Sequence, residues 1–145
     1  MAARLQHLAA SATICLALAA TAYSANAAQS CDPSSLGCLI FNGQHAIPAH
    51  LRDDDRLLPD WTTRCVNCHT PTGQAAAFAP PLTASNLLVA TRRRGGPPSN
   101  YDPMTFCRAI KNGIDPAEVL LRKAMPQYQI SDTECMALWH FLTDH

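Results

Sequence analysis

The chain has 145 residues, with eleven Lys plus Arg balanced by eleven Asp plus Glu. That length suits one domain, and the absence of a net positive charge gives no support for nucleic-acid binding. After the first 27 residues no run is long and apolar enough to span a bilayer, so no membrane span is expected in the mature chain.

Arg4 and His7 form a weakly basic start, Leu8 to Ala22 is apolar and small, and Ala25-Asn26-Ala27 is an A-x-A pattern. Residues 1–27 therefore read as a cleaved signal peptide, which implies export to the periplasm. Anchoring at Cys31 is the weaker alternative, because Ala28-Gln29-Ser30 matches a lipobox poorly. Cleavage would remove Cys15 and leave about 118 residues, enough for one modest core.

Residues 28–60 read as an N-terminal extension with one short helix and a loop. Asp32-Pro33 and Ser34-Ser35 are turn signals. Cys38-Leu39-Ile40-Phe41 is an apolar patch ended by Asn42-Gly43, which predicts a helix over 36–43. A loop is expected over 44–60, carrying Pro48 and Pro59. Within it, Arg52-Asp53-Asp54-Asp55-Arg56 reads as a solvated, self-neutralising charge run.

Cys65-Val66-Asn67-Cys68-His69 is the most informative stretch. C-x-x-C-H is the spacing of covalent c-type haem attachment. Two thiols two residues apart can add to two vinyl groups on one porphyrin edge, and the adjoining imidazole can then bind the iron. The expected cofactor is one covalent haem c with its iron. A redox dithiol wants a βαβ context, and a zinc site wants two more ligands at finger or ribbon spacing. Neither is visible. Two ordinary cysteines beside an ordinary histidine would leave the spacing unexplained.

Trp61 to His69 is expected to form a helical turn that delivers the motif. Thr70-Pro71-Thr72-Gly73 reads as a turn, and Pro80-Pro81-Leu82 as extended. A short helix is expected over 84–92. Arg92-Arg93-Arg94 before Gly95-Gly96 reads as a solvated face, with docking to an acidic partner or pairing with propionates as alternatives. Asp102-Pro103 starts a helix that Gly113 stops. Asp115-Pro116 predicts another short helix, to about Lys123. Ser131 and Glu134 form a capping box for a last helix to about Thr143. No strand is expected.

A second iron ligand could come from Met104, Met125, Met136, His45, His50, His140 or His145. Met125 is best placed, because Pro126 breaks helical geometry there and a loop can lay the thioether over a ring. Met136 and Met104 read as packing residues, and solvated surface positions are the default for the histidines.

These features resemble the class I mono-haem c-type cytochromes over about 61–143. The resemblance implies an all-α fold, a small cytochrome c-like helical domain (61–145) wrapped around one covalently bound haem. It assigns Cys65, Cys68 and His69 to attachment, Met125 and His69 to the metal, and the Pro80 carbonyl to a hydrogen bond from His69. It implies an electron-transfer protein, not an enzyme, carrying single electrons between redox partner proteins. The alternative is a cytochrome subunit of a dehydrogenase, or a haem peroxidase or sulfur-compound oxidoreductase in which Met125 leaves the iron. Some twenty residues between Gly43 and Cys65 depart from the family pattern, as do four further cysteines. In an oxidising compartment those four allow three pairings. Cys31–Cys38 and Cys107–Cys135 is the expected set, since the resemblance places the helices bearing Cys107 and Cys135 in contact.

Overall fold

The computed structural model describes residues 31–69 and 78–144. The expected signal peptide and the Thr70–Gly73 turn lie outside the described residues. Helix α1 spans Leu36–Phe41, α2 Ala84–Leu88, α3 Pro103–Asn112 and α4 Asp132–Thr143. Strands β1 (Ala49–His50) and β4 (Gln127–Tyr128) pair antiparallel, as do β2 (Thr91–Arg92) and β3 (Pro98–Ser99).

The expected all-α fold is thereby corrected to a mixed α/β one: among the described residues there are four helices and two two-stranded antiparallel sheets. Ladders of two residues are too short to show alternation in a sequence. The β1–β4 ladder forms because tertiary packing brings distant segments together, and the β2–β3 ladder is a local hairpin closed across residues 93–97. Residues 44–60, expected as loop, contribute β1.

The two long helices follow from their caps. The Asp102 carboxylate accepts the Thr105 amide at 2.7 Å, and Thr105 Oγ1 accepts the Asp102 amide at 2.9 Å. Pro103 occupies the first helical position, and Gly113 ends α3 at φ 69°, in the left-handed region. At α4 the Ser131 hydroxyl accepts the Glu134 amide, while Glu134 accepts the Ser131 amide.

Helix α1 lies across α4. Phe41 and Phe141 pack with ring centroids 5.8 Å apart. A side chain at Gly37 would collide with the Ala137 carbonyl oxygen and fall 2.5 Å from Phe141 Cβ. Backbone approach at this crossing therefore requires glycine. Ile40, Phe41, Ile47, Leu87, Phe106, Ile110, Ile130, Leu138, Trp139 and Leu142 form the core, so the N-terminal segment and the C-terminal helices share one interior.

Two disulfides stand as expected. Cys31–Cys38 ties the start of the described chain to α1, and Cys107–Cys135 joins α3 to α4. They fit an oxidising environment. No helix among the described residues is long and apolar enough to cross a membrane.

Other expectations change. The helix expected over 84–92 ends at Leu88, because Thr91–Arg92 pairs with Pro98–Ser99. The helix expected after Asp115 does not form. The Asp115 carboxylate accepts the amides of Ala117 and Val119 at 2.9 and 2.8 Å. Such side-chain bonds compete with helical ones. The arginine run is not simply solvated. Arg93 donates to the Ser99 and Asn86 carbonyls and lies 5.0 Å from the Tyr101 ring centroid. Arg94 pairs at 2.8 Å with the fully buried Asp115. Met104, expected to pack, is 83% exposed.

Candidate functional site

The motif is carried on a tight turn. Cys65–Asn67 forms a 3-10 turn, the amides of Cys68 and His69 donate to the Cys65 carbonyl at 3.2 and 2.9 Å, and the Asn67 side chain donates to the Trp61 carbonyl at 2.9 Å. Asn67 thus braces the loop against the preceding turn, Asp60–Thr62.

His69 is buried, and its Nδ1 lies 2.7 Å from the Pro80 carbonyl oxygen. A carbonyl only accepts, so Nδ1 carries the proton and Nε2 keeps its lone pair. Nε2 is buried without a hydrogen-bond partner. Burial pushes the His69 pKa down, and the bond to Pro80 offsets part of that shift. The ring is therefore neutral near pH 7, the form able to act as a ligand.

Cys65 and Cys68 are free thiols, each half-buried. Burial pushes the Cys65 thiol up to about 11, so it stays protonated at neutral pH. Tyr128 is close to it. Its hydroxyl donates to the Thr63 carbonyl at 2.6 Å, and burial, followed by the neighbouring Cys65, raises its pKa.

His69, Cys65, Met125 and Tyr128 line one cavity, walled by Ile40, Ile47, Leu82, Phe106, Ile110, Ile130 and Leu138. Met125 comes from the loop before β4, where its amide donates to Arg122. Met104 and Met136 lie instead beside a shallow groove between α3 and α4. Of the histidines, His45 borders the cavity but pairs with Glu134 at 2.8 Å. His140 lies 3.2 Å from Asp144, and His50 Nδ1 donates to the Leu51 carbonyl. His145 is outside the described residues. Sequence reasoning missed Tyr128 and Thr63. The only available signal was an aromatic three residues after Met125.

The cofactor expectation, one covalent haem c with its iron, is corrected here. Among the described residues no group of three or more His, Cys, Asp or Glu could hold a metal ion. The paired cysteines are Cys31–Cys38 and Cys107–Cys135. In the cavity, His69 and Met125 amount to one imidazole and one thioether, too few donors for the polypeptide alone to build a metal centre. What the motif presents is a free dithiol beside a neutral imidazole.

No family model matches the chain, and no solved structure matches it.

Proposed function

We propose that the chain is an exported carrier of single electrons between redox partner proteins, as its resemblance to the class I mono-haem c-type cytochromes implies. One observation carries this reading. The buried Nε2 of His69 is unpartnered, and the ring is fixed in its ligating tautomer by Pro80, in an apolar cavity shared with Cys65 and Met125. An unpaired buried nitrogen costs free energy unless something binds it. Mostly apolar walls, with Asp60 and Arg64 also on the lining, limit solvent reorganisation and favour the less charged redox state.

Export to the periplasm by a cleaved signal peptide belongs to the same reading, and the two disulfides fit an oxidising environment. The test uses the exported, purified product. Spectroelectrochemistry should show a reversible one-electron wave. An electrochemically silent protein would reject the reading.

A further inference from the structure

Residues 47–58 fall within the segment that departs from the family pattern, and the structure assigns them a task. We propose that they form a strap holding the Met125 loop against the cavity, with Arg52 as its positioning residue.

Strand β1 is central to this strap. On one side it pairs with β4, Ala49 opposite Tyr128 and His50 opposite Gln127. On the other, His50 bridges to Leu57, and the Leu58 amide donates to the Ala49 carbonyl at 2.8 Å. The Gln129 amide donates to the Pro48 carbonyl, also at 2.8 Å. Ala49 is fully buried, and Ile47 lines the cavity itself.

A second anchor grips the chain on the other side of Met125. The Arg52 guanidinium donates to the Leu121 carbonyl at 2.9 Å, and Asp53 lies 3.9 Å from the Lys123 ammonium. Met125 therefore sits between two tethers, one at 121–123 and one at 127–129, both supplied by the same strap. A two-residue ladder is marginal alone. The charged hydrogen bond from Arg52 is the stronger kind of anchor, and its side chain is only 28% exposed.

The relevance of this strap to electron transfer rests on the function proposed above, whereas the strap itself is tested without any redox measurement. Hydrogen exchange and mild peroxide oxidation are followed by peptide mass analysis on the full chain. The exposed Met104 serves as internal reference. In the wild type, Met125 should oxidise more slowly than Met104. Arg52→Ala should speed exchange over 121–129 by about tenfold, the effect of losing a charged hydrogen bond. It should also raise the Met125-to-Met104 oxidation ratio, with α3 and α4 unchanged. Arg52→Lys should restore part of the protection. Unchanged exchange over 121–129, or acceleration spread equally through α3 and α4, would overturn the strap. A wild type that carries no electrons but shows the selective Arg52 effect would reject the function and leave the strap standing.

Discussion

His69 Nδ1 lies 2.7 Å from the Pro80 carbonyl oxygen, and this one bond fixes both the tautomer and the orientation of the ring. His69→Gln should therefore abolish reversible electron exchange by removing the buried, unpartnered nitrogen on which the proposed function rests. The helices and both disulfides should survive, because none of their cysteines or caps involves His69. Voltammetry together with far-ultraviolet circular dichroism checks both halves. Retained one-electron exchange in the variant would remove His69 from the site.

Met125 shares the cavity with His69, whereas Met104 and Met136 do not line it. A soft thioether favours the reduced state of a redox centre. Met125→His should lower the midpoint potential, and Met104→Leu should leave it unchanged. A potential that follows Met104 or Met136 instead would place the redox site outside this cavity.

Gly37 faces the Ala137 backbone and Phe141 of α4 with no room for a Cβ. Gly37→Ala adds a carbon where the Ala137 backbone already stands, so relief requires the helices to part. The cost should be about 1–3 kcal/mol, the usual range for overpacking, read from the denaturant midpoint. Gly95→Ala supplies the contrast. No atom stands within 4 Å of its Cβ position, so any loss there comes from the backbone, at φ 81°.

Cys107 and Cys135 close a loop with a sequence separation of 28. Replacing both with Ala should lower stability by roughly 3–4 kcal/mol on the chain-entropy account. Equilibrium unfolding of the double variant measures it. A loss below about 1 kcal/mol would mean that α3 and α4 hold together through packing alone.

Acid should weaken the cap of α4. Ser131 holds the Glu134 carboxyl down to about 2, through its hydroxyl first, then its backbone amide, with His45 adding to the effect. An unfolded Glu titrates near ~4.3. With the folded value lower, the unfolded state binds more protons. This contribution is complete above pH 4.5 or so and is lost as pH falls towards 2. Ser131→Ala should cost about 0.5–2 kcal/mol at pH 7 and flatten the stability profile across that acid window.

Local signals and tertiary decisions separate cleanly in this chain. By itself, the sequence determined the elements whose cause is local: α3 through Asp102, Pro103 and Gly113, α4 through Ser131 and Glu134, and the stop of α1 before Gly43. It also held the disulfide pairing, read from an even set of cysteines and a family resemblance, and the chemical identity of Cys65, Cys68 and His69. Tertiary structure decided the rest. The strands are two residues long, and β1 and β4 exist only because the 47–58 segment lies beside 127–129. Asp115-Pro116 has a helix-start pattern, but Asp115 is buried against Arg94 and bonds the following amides, so a turn forms instead. Which methionine reaches the cavity depends on how loops are tethered. Three methionines of similar chemistry were separated by Arg52, β1 and the α3–α4 packing, which act across distances in sequence that no short-range pattern encodes.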